Sequence, residues 1–280
     1  MKNSLPSETG LSFIGCGVMA ESMVAGLLRE KIVRPEQVVG SHPRAERRTE
    51  MEDKYGIRMF DANAEAAAHF SGPDAAVVLT VKPQRSSGVL KDLAGSVGPE
   101  NLVISIVAGT NIDTIADALN NKYVIRAMPN TPSQIGKGMT AWTCSRSVDE
   151  KHKELAKVLF TALGKELFVE TENMIDMATS LSATGPTYTF MVMEAMTDAG
   201  VHLGFSREVS KELVQQTMLG SVLFAMESHK HPAELRNMVT SPGGTSAEAI
   251  YQMEKGALRT VLSKAIYGAY KRAVELGKRK

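Results

Sequence analysis

A short apolar run that ends in a glycine turn and continues as a helix constrains this chain more than any other feature. Leu11-Ser12-Phe13-Ile14 leads into Gly15-Cys16-Gly17-Val18-Met19-Ala20, and Ser22 to Leu28 continues at helical spacing. In a strand, G-x-G-x-x-A turn and helix, each small residue has its own task. Gly15 allows the tight turn, Gly17 lets the backbone approach a pyrophosphate, and Ala20 permits close packing of helix on strand. The helix start then offers unpaired N–H groups and its positive dipole end to an anion. The turn alone is a weak signal, and its place on the first strand of an alternating β/α region makes it a dinucleotide site.

That alternation runs over roughly the first 170 residues. The expected strands are Leu11–Gly15, Gln37–Ser41, Arg58–Phe60, Ala75–Val81, Leu102–Val107, Tyr123–Arg126, Thr140–Cys144 and Glu166–Val169. Runs such as Ala75-Ala76-Val77-Val78-Leu79 are continuously apolar, as suits parallel strands covered on both faces. Between the last two strands a helix is expected, started by Ser147 with Glu150 three residues on and stopped by Gly164. The remaining residues read as helices. Tyr188, Met191, Val192, Ala195, Ala199 and Leu203 form one apolar stripe, and Leu213/Val214, Met218/Leu219, Val222/Leu223 and Met226 another. A third helical region, Ala247 to Leu276, is broken or bent at Gly256. The expected fold class is α/β: a Rossmann-type dinucleotide-binding domain over residues 1–170, then an all-helical domain over residues 171–280. The helical part is too apolar to stand alone and is expected to form a large subunit interface.

Charge and cysteine content narrow the function. With 32 Lys and Arg against 31 Asp and Glu the formal charge is +1, which argues against nucleic-acid or membrane-surface binding. With 43% apolar residues the chain can bury a core. Cys16 and Cys144 make no disulfide framework and have no metal-ligand spacing. Cys16 inside the turn reads as structural, and His229 and His231 read as a solvated loop, so no metal site is expected. The polar start MKNSLPSETG and the lack of a long apolar span suit an unexported, cytoplasmic protein.

The end of the second strand bears on the choice of dinucleotide. Val38-Val39-Gly40-Ser41-His42-Pro43-Arg44, followed by Arg47 and Arg48, contains no carboxylate for ribose hydroxyls. Ser41 and one arginine, Arg44 for preference, suit a 2′-phosphate, so NADP(H) is favoured over NAD(H). The arginines would otherwise be a solvated helix face.

Four more stretches follow in order: Val81-Lys82-Pro83, Arg126-Ala127-Met128-Pro129-Asn130-Thr131-Pro132, Leu181-Ser182-Ala183-Thr184-Gly185-Pro186-Thr187-Tyr188, and Ser241-Pro242-Gly243-Gly244-Thr245-Ser246. Together with the glycine turn the chain resembles the pyrroline-5-carboxylate reductases, which make L-proline in its last biosynthetic step. The resemblance covers essentially the whole chain. It implies that the backbone of Ile14, Gly15, Cys16, Gly17, Val18 and Met19 holds the pyrophosphate, with Ser41 and Asn63 on the adenosine side. It also implies that Thr80, Val81, Lys82 and Pro83, with Val107, Ala108 and Gly109, line the channel to the nicotinamide. Homodimers through swapped helices, and larger rings of dimers, are implied as well. Ala183, Thr184, Thr187 and Ser246 depart from the family's usual residues while staying small or hydroxyl-bearing.

The chemistry implied is delivery of a hydride to the ring C=N carbon of 1-pyrroline-5-carboxylate while the nitrogen gains a proton. Gly243, Gly244, Thr245 and Ser246, opening a helix near Ala247, could offer N–H groups to the substrate carboxylate. Ser246 is the candidate partner of the ring nitrogen, with Thr184 and Thr245 as neighbours, although a Pro-Gly turn with a helix cap would use the same residues. Asn130 and Thr131 stand at a strand's carboxyl end, as ligand-facing or as turn residues. Lys82 is expected to serve through its backbone with the amine in solvent. A related reductase acting on a six-membered ring, or a silent NADP-binding sensor, are the competing readings.

Overall fold

The computed structural model describes residues 4–278. Two compact units divide the chain, one running to Thr184 and including the segment from Ala269 onward, the other spanning Gly185–Gly268.

The first unit is built on a single sheet of eight strands. These are β1 (Gly10–Ile14), β2 (Val38–Ser41), β3 (Arg58–Phe60), β4 (Ala75–Leu79), β5 (Leu102–Ser105), β6 (Val124–Met128), β7 (Gly138–Cys144) and β8 (Gly164–Phe168). Their order is β3-β2-β1-β4-β5-β6-β7-β8, with the first six strands parallel and β7 antiparallel to β6. The chain winds outward from β1 to β3, then returns to the other side of β1 as β4. That reversal creates a crevice at the carboxyl ends of β1 and β4, where open α/β sheets bind ligands.

Helices cover both faces: α1 (Val18–Arg29), α2 (Ala45–Tyr55), α3 (Asn63–Ala68), α4 (Pro83–Asp92), α5 (Ile112–Leu119), α6 (Glu150–Thr161) and α7 (Glu172–Ala178). Alternate residues of β4 serve opposite cores. Ala76 and Val78 join Phe13, Met23, Leu27, Trp142 and Phe160, whereas Val77 and Leu79 join Ile14, Leu90, Val103 and Ile115. Two-sided burial is therefore why the run lacks polar alternation.

All eight strands occur where apolar runs place them, with ends shifted by up to two residues. The start of α6 differs: the cap is Asp149, whose carboxylate accepts the His152 N–H at 2.9 Å, rather than Ser147. A turn closed by the Val148 N–H on the Ser145 carbonyl delays the helix. Gly164 does more than stop it. It opens β8 at φ +140°, where a side chain would strike the backbone of Gly138.

The compact units divide after Thr184, and the chain's last segment returns to the first unit. Two contacts explain this. Ile175 of α7 is fully buried beneath β6 and β7, and Leu276 and Gly277 lie against Gly109 so closely that a Cβ on Gly109 would meet backbone at 2.8 Å.

The second unit is helical: α8 (Gly185–His202), α9 (Arg207–Ser228), α10 (Pro232–Met238), α11 (Thr245–Lys255) and the first part of α12 (Leu258–Lys278). Ser206 caps α9, and Gly256 ends α11 as its composition suggests. The short α10 has no apolar stripe to announce it; Pro232 at its first position and a His231 side chain accepting the Ala233 N–H start it. The apolar stripes of α8 and α9 are largely bare. No residue of α8 is buried, and Phe190 and Met191 are 58% and 65% exposed. Among the described residues no helix is long and apolar enough to cross a membrane.

Replacing Asp149 with Ala removes the α6 cap. Chemical denaturation of the variant is expected to show a loss of about 1 kcal/mol.

Candidate active site

The glycine turn is held by its neighbours' hydrogen bonds, and these decide which amides remain for a ligand. Gly15, at φ +89°, donates to the Ser41 hydroxyl at 3.3 Å, and a Cβ there would run into Val81. Cys16 N–H donates to the Ser41 carbonyl at 2.8 Å, and Gly17 N–H to the Gly15 carbonyl at 2.7 Å. Of the six residues from Ile14 to Met19, only Val18 and Met19 therefore keep first-turn amides with no intrahelical acceptor. Gly17, the N-cap, has open space on its outer side, since a Cβ would meet only the Gly15 carbonyl at 3.9 Å. The backbone of Gly17 is therefore open to approach on that side. Cys16 is packed away, and burial pushes its thiol up to about 12. It is no nucleophile.

Ser41, Asn63 and Gly15 come together at the end of β2. The fully buried Ser41 hydroxyl donates to Asn63 Oδ1 at 2.8 Å while accepting from Gly15. Its proton is committed to Asn63, and its oxygen serves the turn. The three arginines separate cleanly. Arg47 donates from Nε to the Cys16 carbonyl at 3.0 Å and pairs through Nη2 with Glu21 at 2.6 Å. Arg48 is spent on the carbonyls of His42 and Pro43. Arg44 stands exposed at the N-cap of α2, its guanidinium without a partner among the described residues. Glu21, in the first turn of α1, also receives Lys54 and the Tyr55 hydroxyl, each at 2.8 Å. Burial alone would raise its pKa, yet the bonds from Lys54, Arg47 and Tyr55 bring it down to about 2.

Thr80 and Val107–Gly109 follow neighbouring strands. The Thr80 hydroxyl donates to the Ile14 carbonyl at 2.8 Å and lies 3.0 Å from that of Gly15. Lys82 is exposed at the N-cap of α4, with Pro83 at the first helical position. Val107 is buried, Ala108 half-buried, and Gly109 turns the chain at φ +75°. Asn130 has structural bonds, accepting the Met139 N–H at 2.9 Å and donating to the Ser182 carbonyl at 3.3 Å. Thr184 closes a wide helical turn over Thr179–Ala183 by donating its hydroxyl to the Thr179 carbonyl at 2.9 Å.

In the second unit, Ser241–Gly244 forms a turn closed by the Gly244 N–H on the Ser241 carbonyl at 3.1 Å. Gly243 sits at φ +70°, and Gly244 is the N-cap of α11, which has no side-chain cap. The helix begins at Thr245, two residues before the expected Ala247. Thr245 and Ser246 thus present first-turn amides as well as hydroxyls, Thr245 exposed and Ser246 half-buried.

Comparison with known proteins covers both units. A family profile described as pyrroline-5-carboxylate reductase dimerisation matches residues 172–276, and one described as NADP oxidoreductase, coenzyme F420-dependent, matches residues 10–109. The chain is 38% identical over 269 residues to the pyrroline-5-carboxylate reductase of Synechocystis sp., covering 96% of this chain and 98% of that one. The chain belongs to the pyrroline-5-carboxylate reductase family. The enzyme of Pseudomonas aeruginosa is also 38% identical, over 271 residues, with 96% and 97% covered. The crystal structure of Plasmodium falciparum pyrroline carboxylate reductase with NADP bound superposes with a TM-score of 0.87 at 28% identity, covering 97% of this chain and 99% of that one.

Two clusters were not legible as site components. Glu21 reads in sequence as an interruption of an apolar run, and its first-turn position was the available signal. Arg126 reads as the first letter of a motif, whereas it is a buried guanidinium paired with Glu172 and Asp176.

A pH dependence follows for Glu21. Its folded pKa lies below the ordinary carboxylate value, so its stabilising contribution is complete above about pH 4.5 and is lost as pH falls towards about 2. Urea unfolding across that window is expected to show a shallower pH dependence for Glu21→Gln than for the wild type, and equal slopes would reject this account.

Proposed function

We propose that this chain reduces the C=N bond of 1-pyrroline-5-carboxylate to give L-proline, using NADPH. The observation that carries this reading is full-length family membership in a chain that keeps both an amide-bearing dinucleotide turn and the Ser241–Ser246 loop. Val18 and Met19 amides and the α1 dipole hold the pyrophosphate. Arg44 is the free guanidinium for the 2′-phosphate, with Ser41 and Asn63 shaping the adenosine side, and NAD(H) is less favoured because no carboxylate ends β2. Ile14, Gly15, Cys16 and Gly17 act by fixing the turn. Thr80, Val81, Lys82, Pro83, Val107 and Ala108 line the approach to the nicotinamide.

NADPH, when bound, supplies the hydride. The protein's task is to hold the ring and handle one proton. Gly243 and Gly244 free the start of α11, so the amides of Thr245 and Ser246 hold the substrate carboxylate without an arginine that would compete for it. The Ser246 hydroxyl hydrogen-bonds the ring nitrogen and relays its proton from water. Thr184 already donates to Thr179, so its oxygen acts as an acceptor. The exposed stripes of α8 and α9, on a segment matching a dimerisation profile, support a homodimer; further assembly into a ring of dimers and a cytoplasmic location belong to the proposal.

Nicotinamide absorbance should fall when the protein, NADPH and 1-pyrroline-5-carboxylate are mixed; no loss where NADPH demonstrably binds would reject the activity. Ser246→Ala is expected to lower kcat by on the order of 10²-fold with NADPH affinity unchanged. Arg44→Glu should erode the NADPH to NADH ratio of kcat/KM by at least tenfold, about 1.4 kcal/mol. An unchanged ratio would remove Arg44 from the 2′-phosphate site.

A further inference from the structure

Arg126 lies in the middle of the sheet with only 1% of its side chain exposed. Its Nη1 is 3.1 Å from Glu172 Oε1 and its Nη2 2.6 Å from Asp176 Oδ1, while Nε is buried with no partner among the described residues. The same Glu172 oxygen accepts the Ile112 N–H at 2.8 Å. Asn111, the N-cap of α5, makes no side-chain capping bond, and a carboxylate sixty residues away accepts a first-turn N–H of that helix instead. Arg126 is in register with Ser105, the last residue of β5, and the chain from β5 to α5 carries Val107–Gly109. On the other side, α7 carries Glu172 and Asp176 and runs directly into the Thr179–Ala183 turn that Thr184 closes. A small apolar cluster of Met128, Ala141, Val169 and Ile175 receives both Ala108 and Ala183. Two turns far apart in sequence are thus fastened to one guanidinium and one apolar cluster.

A buried ion pair is a poor source of stability, since desolvation offsets most of its attraction. A planar fork that fixes two carboxylates on one helix, one of them bonded to the first turn of another helix, is well suited to setting geometry. We propose that Arg126, Glu172 and Asp176 form a positioning clamp that holds the Val107–Gly109 turn in fixed relation to the Thr179–Thr184 turn, and so sets the hydride-transfer geometry. The clamp rests on the functional reading above for the roles of the two turns. None of its three residues needs to touch substrate or cofactor.

The test uses Glu172→Gln, which keeps an acceptor for Ile112 but removes the charge facing Arg126, and the triple variant Arg126→Met/Glu172→Gln/Asp176→Asn, which leaves no unpaired buried charge. Both are expected to lose kcat by on the order of 10²-fold, because small misplacements at a reacting centre cost that much, while NADPH affinity by fluorescence titration stays the same. Arg126→Lys keeps the charge without the fork and should recover little. Amide hydrogen exchange in residues 106–112 and 179–184 should accelerate together in Glu172→Gln. A purely structural cluster would lower the unfolding temperature while folded enzyme kept its kcat, and that result overturns the proposal. So does a parallel loss of NADPH affinity, faster exchange in only one turn, or a triple variant that fails to fold. Wild-type turnover in the same assay tests the functional reading separately; if the wild type binds NADPH but is inert, that reading fails and hydrogen exchange alone decides the clamp.

Discussion

The site depends on how the carboxyl end of β1 is pinned. Ile14 and Gly15 leave the sheet at the point where strand order reverses, and their backbone is held from two directions. From β4, Thr80 places its N–H 3.0 Å and its hydroxyl 2.8 Å from the Ile14 carbonyl. From β2, Ser41 meets the next two amides, one through its hydroxyl and one through its carbonyl. A turn satisfied on both sides has no freedom to wander, so α1 must start at one place and in one direction. Its unsatisfied amides are then fixed in space before any anion arrives, which is what makes such a site preorganised.

This arrangement explains which parts were legible in the sequence. Strands were readable because buried parallel strands need continuous apolar runs, and Ala75–Leu79 could serve both cores only by being apolar throughout. The glycines were readable because steric demand acts on single residues. The α6 start was misread because Ser147 and Glu150 satisfy a local pattern that a preceding turn overrides, leaving Asp149 as the cap. The edge of the compact units was not readable, since it depends on Ile175 and Leu276 finding partners remote in sequence.

The candidate site was legible to a similar degree. Residue types at Arg44, Ser41 and Ser246 suggested anion binding and proton handling, yet type does not reveal prior commitments. Ser41 gives its proton to Asn63, and Arg47 is held by Glu21 and Cys16. Such commitments are long-range hydrogen bonds with no local signature. They convert a cluster of three arginines into one free guanidinium and two structural ones.

Glu21 poses the sharpest electrostatic question. An acid in the first turn of a helix is favoured by the dipole, but in α1 it occupies the end that a dianionic pyrophosphate would need. Left alone it would repel the ligand. Arg47 and Lys54 offset it, and the short Arg47 pair at 2.6 Å also carries Nε to the Cys16 carbonyl, so neutralising the acid and bracing the glycine turn are a single arrangement. Glu50 pairs with Arg47 as well, at 2.8 Å, so the local balance is two carboxylates against two cations, with Arg44 additional and uncommitted. A chain with a formal charge of +1 thus needs no general basic surface to attract a phosphorylated ligand. On the proposed reading the attraction would come from helix starts and Arg44, whose reach is confined to about a Debye length, roughly 8 Å at physiological salt. On the proposed assignment of Arg44, selectivity between phosphorylated and unphosphorylated dinucleotides would rest on a short-range contact rather than on the field of the whole protein.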